Sequence, residues 1–274
     1  MALSMRTALL ILSLVTSILG HSHVDEIWAP NPSVHYNGWN PNYYDVTPYA
    51  GDTPGWYTEN QGGNPLYPSD AKSYNIICAK RSSPANVSAP IAAGEIARVK
   101  WWQPGEWPPS HKGPVIDYIA ACNGPCSSVN PTTLKFVKIA ELGWIDNSRH
   151  EGFWAADALR DDDSSWNIRI PDGLKAGEYV LRHEIIALHL AHLAVGDGSY
   201  SPIGAEFYPQ CVNLQITGDG TKTITGGVDA RTLYTGAEPG LAYHTLHETN
   251  EHGNYIIPGP AIWSGALKRG SFRA

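Results

Sequence analysis

Apolar and polar residues alternate along several short stretches of the chain: Trp166, Ile168 and Ile170 in SSWNIRIP, Val212, Leu214 and Ile216 in CVNLQITG, and Ala97, Val99 and Trp101 in ARVKW. A period of two sends successive side chains to opposite faces, so each stretch predicts a strand with one apolar face. LKFVKIAEL and GEYVLRHEIIALHL are richer in apolar residues and read as central strands. Helical periodicity is scarce, and Gly and Pro divide the strands at short intervals. The pattern predicts an all-β chain, an antiparallel β-sandwich. Residues 28–76 have another texture, with NPNYYDVTPYAGDTPGWYTENQGGNP rich in Tyr, Asn, Gly and Pro, and read as long surface loops rather than core. Residues 231–274, which include GNYIIPGPAIW, are similarly irregular.

Residues 1–20 change the picture at one end. Arg6, an apolar core over 8–15 and the small residue Gly20 read as a secretory signal, and the core is too short to span a membrane. A cut after Gly20 makes His21 the first residue. Ile18 stands where such sites favour a small residue, which keeps a cut after Ser17 as the alternative. No later segment is long and apolar enough to anchor the chain, so residues 21–274 are expected to be a secreted, soluble, monomeric single domain with no linker. No cysteine follows Cys211, so no small disulfide-stapled cellulose-binding module is expected at the C-terminus. The net charge of -7 removes the electrostatic footprint that binding to nucleic acid or to an anionic membrane needs. An uncharged polymer is the better partner.

Four cysteines in a secreted chain imply two disulfides, with three connectivities open. CNGPC suits a local loop between Cys122 and Cys126, and Cys78 would then pair with Cys211. A zinc site is disfavoured because the spacing is not that of paired CxxC motifs. Asn86-Val87-Ser88 is a glycosylation acceptor, with an unused surface triplet as the alternative.

The candidate chemistry lies in three places. A terminal His21 offers both a backbone amine and a ring nitrogen. His111 sits on a Pro-rich turn in WPPSHKGPVIDY, where a lone histidine is otherwise an ordinary solvated residue. Together these residues supply three neutral nitrogen donors, an arrangement that suits Cu(II). In RHEIIALH the histidines His183 and His189 are six apart, which excludes the HExxH zinc motif and puts both on one face of an uninterrupted strand. Glu206 and Tyr208 in GAEFYPQC are two apart, so a carboxyl and a phenol point the same way. The alternative is a rim charge beside a core tyrosine.

With HSHV after the leader, then SHKGPVIDYIAACNGPC, GEYVLRHEIIALH, GAEFYPQC and NYIIPGP in that order, the chain resembles the fungal copper-dependent lytic polysaccharide monooxygenases of auxiliary activity family nine, once classed as family sixty-one glycoside hydrolases. The likeness runs over nearly all of residues 21–274. It implies an immunoglobulin-like or fibronectin type III-like sandwich and resolves the disulfides as Cys78 with Cys211 and Cys122 with Cys126. It further implies one copper ion held by the amine and ring of His21 and by His111, with Tyr208 as axial phenol. His189 and residue 206 would act on the oxidant beyond the ligands. The family usually has Gln where this chain has Glu206, and an amide can donate a hydrogen bond that an ionised carboxylate cannot. Two outcomes follow: the cation keeps Glu206 ionised and lowers reactivity, or burial raises its pKa so that the neutral acid donates instead. LAHLAVGDGSYSPI, between His189 and Glu206, is longer than usual for the family, and Ser22 stands where many relatives have Gly. Tyr255, with Tyr43, Tyr44 or Tyr49 from the early loop, would offer ring faces to the apolar face of a pyranose.

The resemblance thus implies a secreted enzyme that draws electrons from an external donor. It would use peroxide or dioxygen to abstract hydrogen at C1 or C4 of β-1,4-glucan, cellulose first. Two rivals stand beside it. A glycoside hydrolase needs a defined pair of carboxyls, and no motif here singles one out. A non-catalytic cellulose-binding protein would keep the aromatic platform and use the histidines only structurally.

Overall fold

The computed structural model describes residues 22–30, 33–39, 53–60, 64–102, 106–146, 148, 151–194, 204–243, 245 and 255–266. His21, Tyr43, Tyr44, Tyr49 and the leader over 1–20 lie outside them.

Two sheets face one another. The first has four strands in the order β2 (Ser33–Asn37), β1 (His23–Pro30), β4 (Ile96–Trp102) and β9 (Ser165–Arg169), all antiparallel. The second has five strands in the order β3 (Ala89–Ala92), β11 (Glu206–Thr217), β10 (Gly177–Ala187), β5 (Val115–Ala121) and β6 (Val137–Leu142). Four of these pair antiparallel, and β3 joins β11 in parallel, so the antiparallel expectation needs one amendment. Beside them lie the small hairpin of β7 (Trp144–Asp146) and β8 (Phe153–Trp154) and the short helix α1 (Ala155–Asp161).

Strand parity explains the packing. The alternating residues Ala97, Val99 and Trp101 of β4, Ile168 of β9, and Val212, Leu214 and Ile216 of β11 meet in one core between the sheets. The other face of the five-stranded sheet is also buried. Ile116 and Tyr118 of β5, Val180 and Ile186 of β10, and Phe207 and Cys211 of β11 pack there in a second core. Burial on both faces is why β10 does not alternate in sequence.

The cover of that second core comes from the segment expected to be surface loop. Trp56, Leu66, Ile76 and Ile77 are buried in it. The Trp56 indole donates to Asn213 Oδ1 at 2.6 Å, and Leu66 exchanges two backbone hydrogen bonds with Phe207 at the edge of β11. The disulfide Cys78–Cys211 ties the same segment to β11, and Cys122–Cys126 closes the local loop. LKFVKIAEL also differs from expectation, because β6 is the sheet's last strand. Its outer edge is covered by bridges from Phe136 to Val228 and from Lys138 to Ile262, which accounts for its apolar character.

The register brings five strand ends together: His23 of β1 opposes Trp102 of β4, Val115 of β5 opposes Ile185 of β10, and Ala187 closing β10 opposes Glu206 opening β11.

Candidate active site

Glu206 and Tyr208 leave β11 on one face, as their spacing predicts, and the Tyr208 hydroxyl donates to Glu206 Oε2 at 2.6 Å. His183 and His189 part company. β10 ends at Ala187, so His189 lies on the turn beyond the strand, while His183 remains inside it, fully buried. His183 Nδ1 meets Asp117 Oδ1 at 2.7 Å, and its Nε2 accepts from the Trp101 indole of the opposite sheet at 3.0 Å. That pattern makes His183 a bridge between the sheets rather than part of the site.

The turn after Trp107 delivers His111 to the same end. The ring of His111 stacks on that of His189, with centroids 4.0 Å apart and planes at 25°. His111 Nε2 lies 3.6 Å from Glu206 Oε2, and His189 Nε2 lies 3.9 Å from Glu206 Oε1. Residues not foreseen from sequence fix this geometry. The Ser110 hydroxyl contacts His111 Nδ1 at 3.0 Å, which turns Nε2 toward the carboxylate. Trp107 donates to the His111 carbonyl at 3.0 Å and sets its ring edge-on to both His111 and Tyr208. The only sequence signal for them is adjacency to His111 in WPPSH.

Lys112 anchors the turn. Its ammonium donates to Asp157 Oδ1 and Oδ2 at 3.1 and 3.2 Å, and its carbonyl accepts from Leu188 N at 2.8 Å, lacing the His111 turn to the His189 turn. Asp157 also accepts from Arg160 and from the backbone N–H of Trp154, which caps α1. Gly113 permits the approach, since a Cβ there would lie 1.9 Å from the Ile186 carbonyl oxygen. Asp157→Ala strips three donors of a buried acceptor. It should cost about 2–3 kcal/mol and lower Tm by roughly 5–10 °C in calorimetry, and a drop under about 2 °C would count against the anchor.

Burial raises the Glu206 carboxyl from 4.5 to about 6, against the opposing pull of the Tyr208 hydrogen bond. Burial, and then His192, lowers His189 from 6.5 to about 4. Burial first, and the neighbouring Glu206 carboxylate second, hold the Tyr208 phenol well above its ordinary value. The two site groups act oppositely on stability. The folded state keeps the Glu206 proton longer than the unfolded chain does, so that contribution is full below pH 4.5 and is lost as pH rises through about 6. The His189 contribution is full above pH 6.5 and is lost as pH falls through about 4. Glu206→Gln removes only the first. Relative to the parent, its metal-free stability in urea should therefore improve by about 2 kcal/mol between roughly pH 4 and pH 7. A difference that does not change with pH would contradict this.

Residues 21–255 match the family profile described as Auxiliary Activity family 9, formerly GH61. The chain belongs to auxiliary activity family 9. It is 41% identical over 261 residues to AA9 family lytic polysaccharide monooxygenase A of Talaromyces verruculosus, covering 93% of this chain and 73% of that protein. It is 40% identical to AA9 family lytic polysaccharide monooxygenase G of Emericella nidulans, covering 92% and 87%. Its fold matches the extended catalytic domain of an LPMO from H. jecorina with a TM-score of 0.77 and 35% identity, covering 92% of this chain and 96% of that one. Family 9 membership makes the chain a lytic polysaccharide monooxygenase, an oxidoreductase with an immunoglobulin-like sandwich that acts on polysaccharide and draws on an external reductant. The hydrolase and non-catalytic readings fall with it.

Copper use follows from family 9, and the donors present fit a borderline cation. Two imidazoles and one carboxylate place their ligating atoms within 4.8 Å of one another, with the Tyr208 phenol on the carboxylate. Ser22, the residue after His21, shares a small cleft with Tyr208, Pro209 and Gln210. Tyr255 is half-buried, its ring edge-on to Trp154 at 4.8 Å and Tyr243 at 5.2 Å, and Ile256 beside it is 64% exposed. Asn86 lies exposed on the turn before β3.

Proposed function

We propose that this monooxygenase oxidatively cleaves β-1,4-glucan, cellulose first, at C1 or C4, and that one copper ion is held by the amine and ring of His21 together with His111. Residues 21–274 act as one secreted catalytic domain after removal of 1–20, without partnering nucleic acid or membrane. Among the described residues no helix is long and apolar enough to cross a membrane. The observation that carries the reading is the convergence of His111, His189, Glu206 and Tyr208 at the end of the sandwich where Ser22 enters. The family match beginning at residue 21 supports the same terminus.

Copper, when bound, supplies the one-electron chemistry that activates peroxide or dioxygen. The chain's residues do the rest. Ser110 and Trp107 hold the His111 ring in one orientation before any ligand arrives. Tyr208 would lie beside the metal, and its hydroxyl keeps the Glu206 carboxyl turned toward both imidazoles. His189 remains neutral above about pH 4 and so presents a ring that can hydrogen-bond to the oxidant without adding charge. Near pH 6 in the metal-free protein the Glu206 carboxyl is partly protonated, and the acid form donates a hydrogen bond as an amide would. Tyr255, with Tyr43, Tyr44 or Tyr49, offers ring faces to the glucan.

Product analysis tests the reading. Cellulose incubated with the copper-loaded protein and ascorbate should release oligosaccharides with an oxidised end, and none when ascorbate or copper is left out. Unmodified reducing sugars released without reductant would overturn it.

A further inference from the structure

The brace proposed above needs a free terminus at His21. A second set of donors does not. His111 comes from the turn after Trp107, His189 from the turn closing β10, and Glu206 from the first position of β11. Among the described residues, His111 is held by Ser110 and Trp107, the His189 turn by the Lys112 carbonyl, and Glu206 by Tyr208. We propose that His111, His189 and Glu206 form a metal site in their own right, a two-imidazole, one-carboxylate cradle that takes Zn(II) or Cu(II) without the amine or ring of His21. This inference does not rest on the brace.

The distances carry it. Ligands about 2.0–2.1 Å from a tetrahedral cation stand roughly 3.3–3.4 Å apart. Here His111 Nε2 and His189 Nε2 lie 3.6 and 3.9 Å from the two oxygens of Glu206, and one ligating atom of each residue lies within 4.8 Å of the others, so rotating the two stacked imidazoles toward one carboxylate oxygen completes the set. The side chains are 7%, 18% and 8% exposed for His111, His189 and Glu206, so an ion there is shielded on most sides. Each ligand but one is oriented from behind, His111 by Ser110 and Glu206 by Tyr208, the arrangement that raises affinity in metal sites. The exception is His189, whose buried Nδ1 has no hydrogen-bond partner among the described residues. Two nitrogen donors select zinc and copper over calcium and magnesium. Three protein ligands leave a fourth position to water or a small anion, as in open zinc sites. The carboxylate is what makes the site, because an amide at residue 206 is a poor ligand.

The test uses residues 21–274 with the N-terminal amine acetylated, titrated calorimetrically with Zn(II) and with Cu(II). One ion per chain is expected, with a rise in Tm on zinc addition and a Cu(II) paramagnetic spectrum showing two nitrogens. Glu206→Gln, which keeps the shape of the side chain, should weaken zinc binding at least about tenfold and abolish the Tm rise. Circular dichroism matching the parent excludes misfolding. Absence of stoichiometric uptake by the acetylated chain, or uptake that Glu206→Gln leaves unchanged, overturns the proposal. Failure of the brace is a separate result, because it appears as copper affinity that is equal with and without the acetyl group.

Discussion

His111→Ala is expected to weaken copper binding by on the order of 10³-fold, about 4 kcal/mol, and to reduce oxidised oligosaccharides to background. The size follows from rank. Losing an outer hydrogen bond to a ligand costs about 10–100-fold in affinity, and losing the ligand costs more. Ser110→Ala supplies the lower rung, since it leaves the His111 ring in place and removes only the contact at Nδ1. Calorimetric titration of both variants, with mass spectrometry of the products from cellulose, gives the ordering. A His111→Ala variant that lost less than about tenfold in affinity would remove this residue from the metal site.

The largest effect on stability should come from the second core. Arg182 and Glu184 are both fully buried in β10 and pair bidentately, Nη1 to Oε2 and Nη2 to Oε1, each at 2.7 Å. The guanidinium also donates to the carbonyls of Ile76 and Ile77 at 2.9 Å, and Tyr234 donates to Glu184. Its position is therefore set by the segment that covers the sheet. Glu184→Gln leaves a buried cation without its counter-charge and should cost about 3–5 kcal/mol, lowering Tm by roughly 10 °C or more. Replacing both residues by methionine should cost less than the single change, because no unpaired charge remains. A Glu184→Gln variant within about 1 kcal/mol of the parent in urea unfolding would contradict the pairing.

The alternating strands β4, β9 and β11 are legible in the sequence because the faces of their side chains differ. The parity rule also places Glu206 and Tyr208 together correctly. It fails for His183 and His189, because the strand ends between them, at Ala187, and parity means nothing across a turn. The second core is the larger omission. Trp56 and Leu66 stand among Gly, Asn and Pro in a segment with no period, and their burial depends on a long-range partner, the back of β11, which local composition does not reveal. Lys112 and Asp157 escape notice for the same reason, as 45 residues separate the two halves of the pair. The site residues that sequence does yield are those carried by short motifs with chemistry of their own.

Copper affinity with and without a capped terminus is the most direct test. Residues 21–274 with a free amine at His21 should bind one Cu(II) per chain at least about 100-fold more tightly than the same chain acetylated there, and only the free form should oxidise cellulose. Equal affinity and equal activity in the two forms would show that the first nitrogen of the chain takes no part in holding the metal.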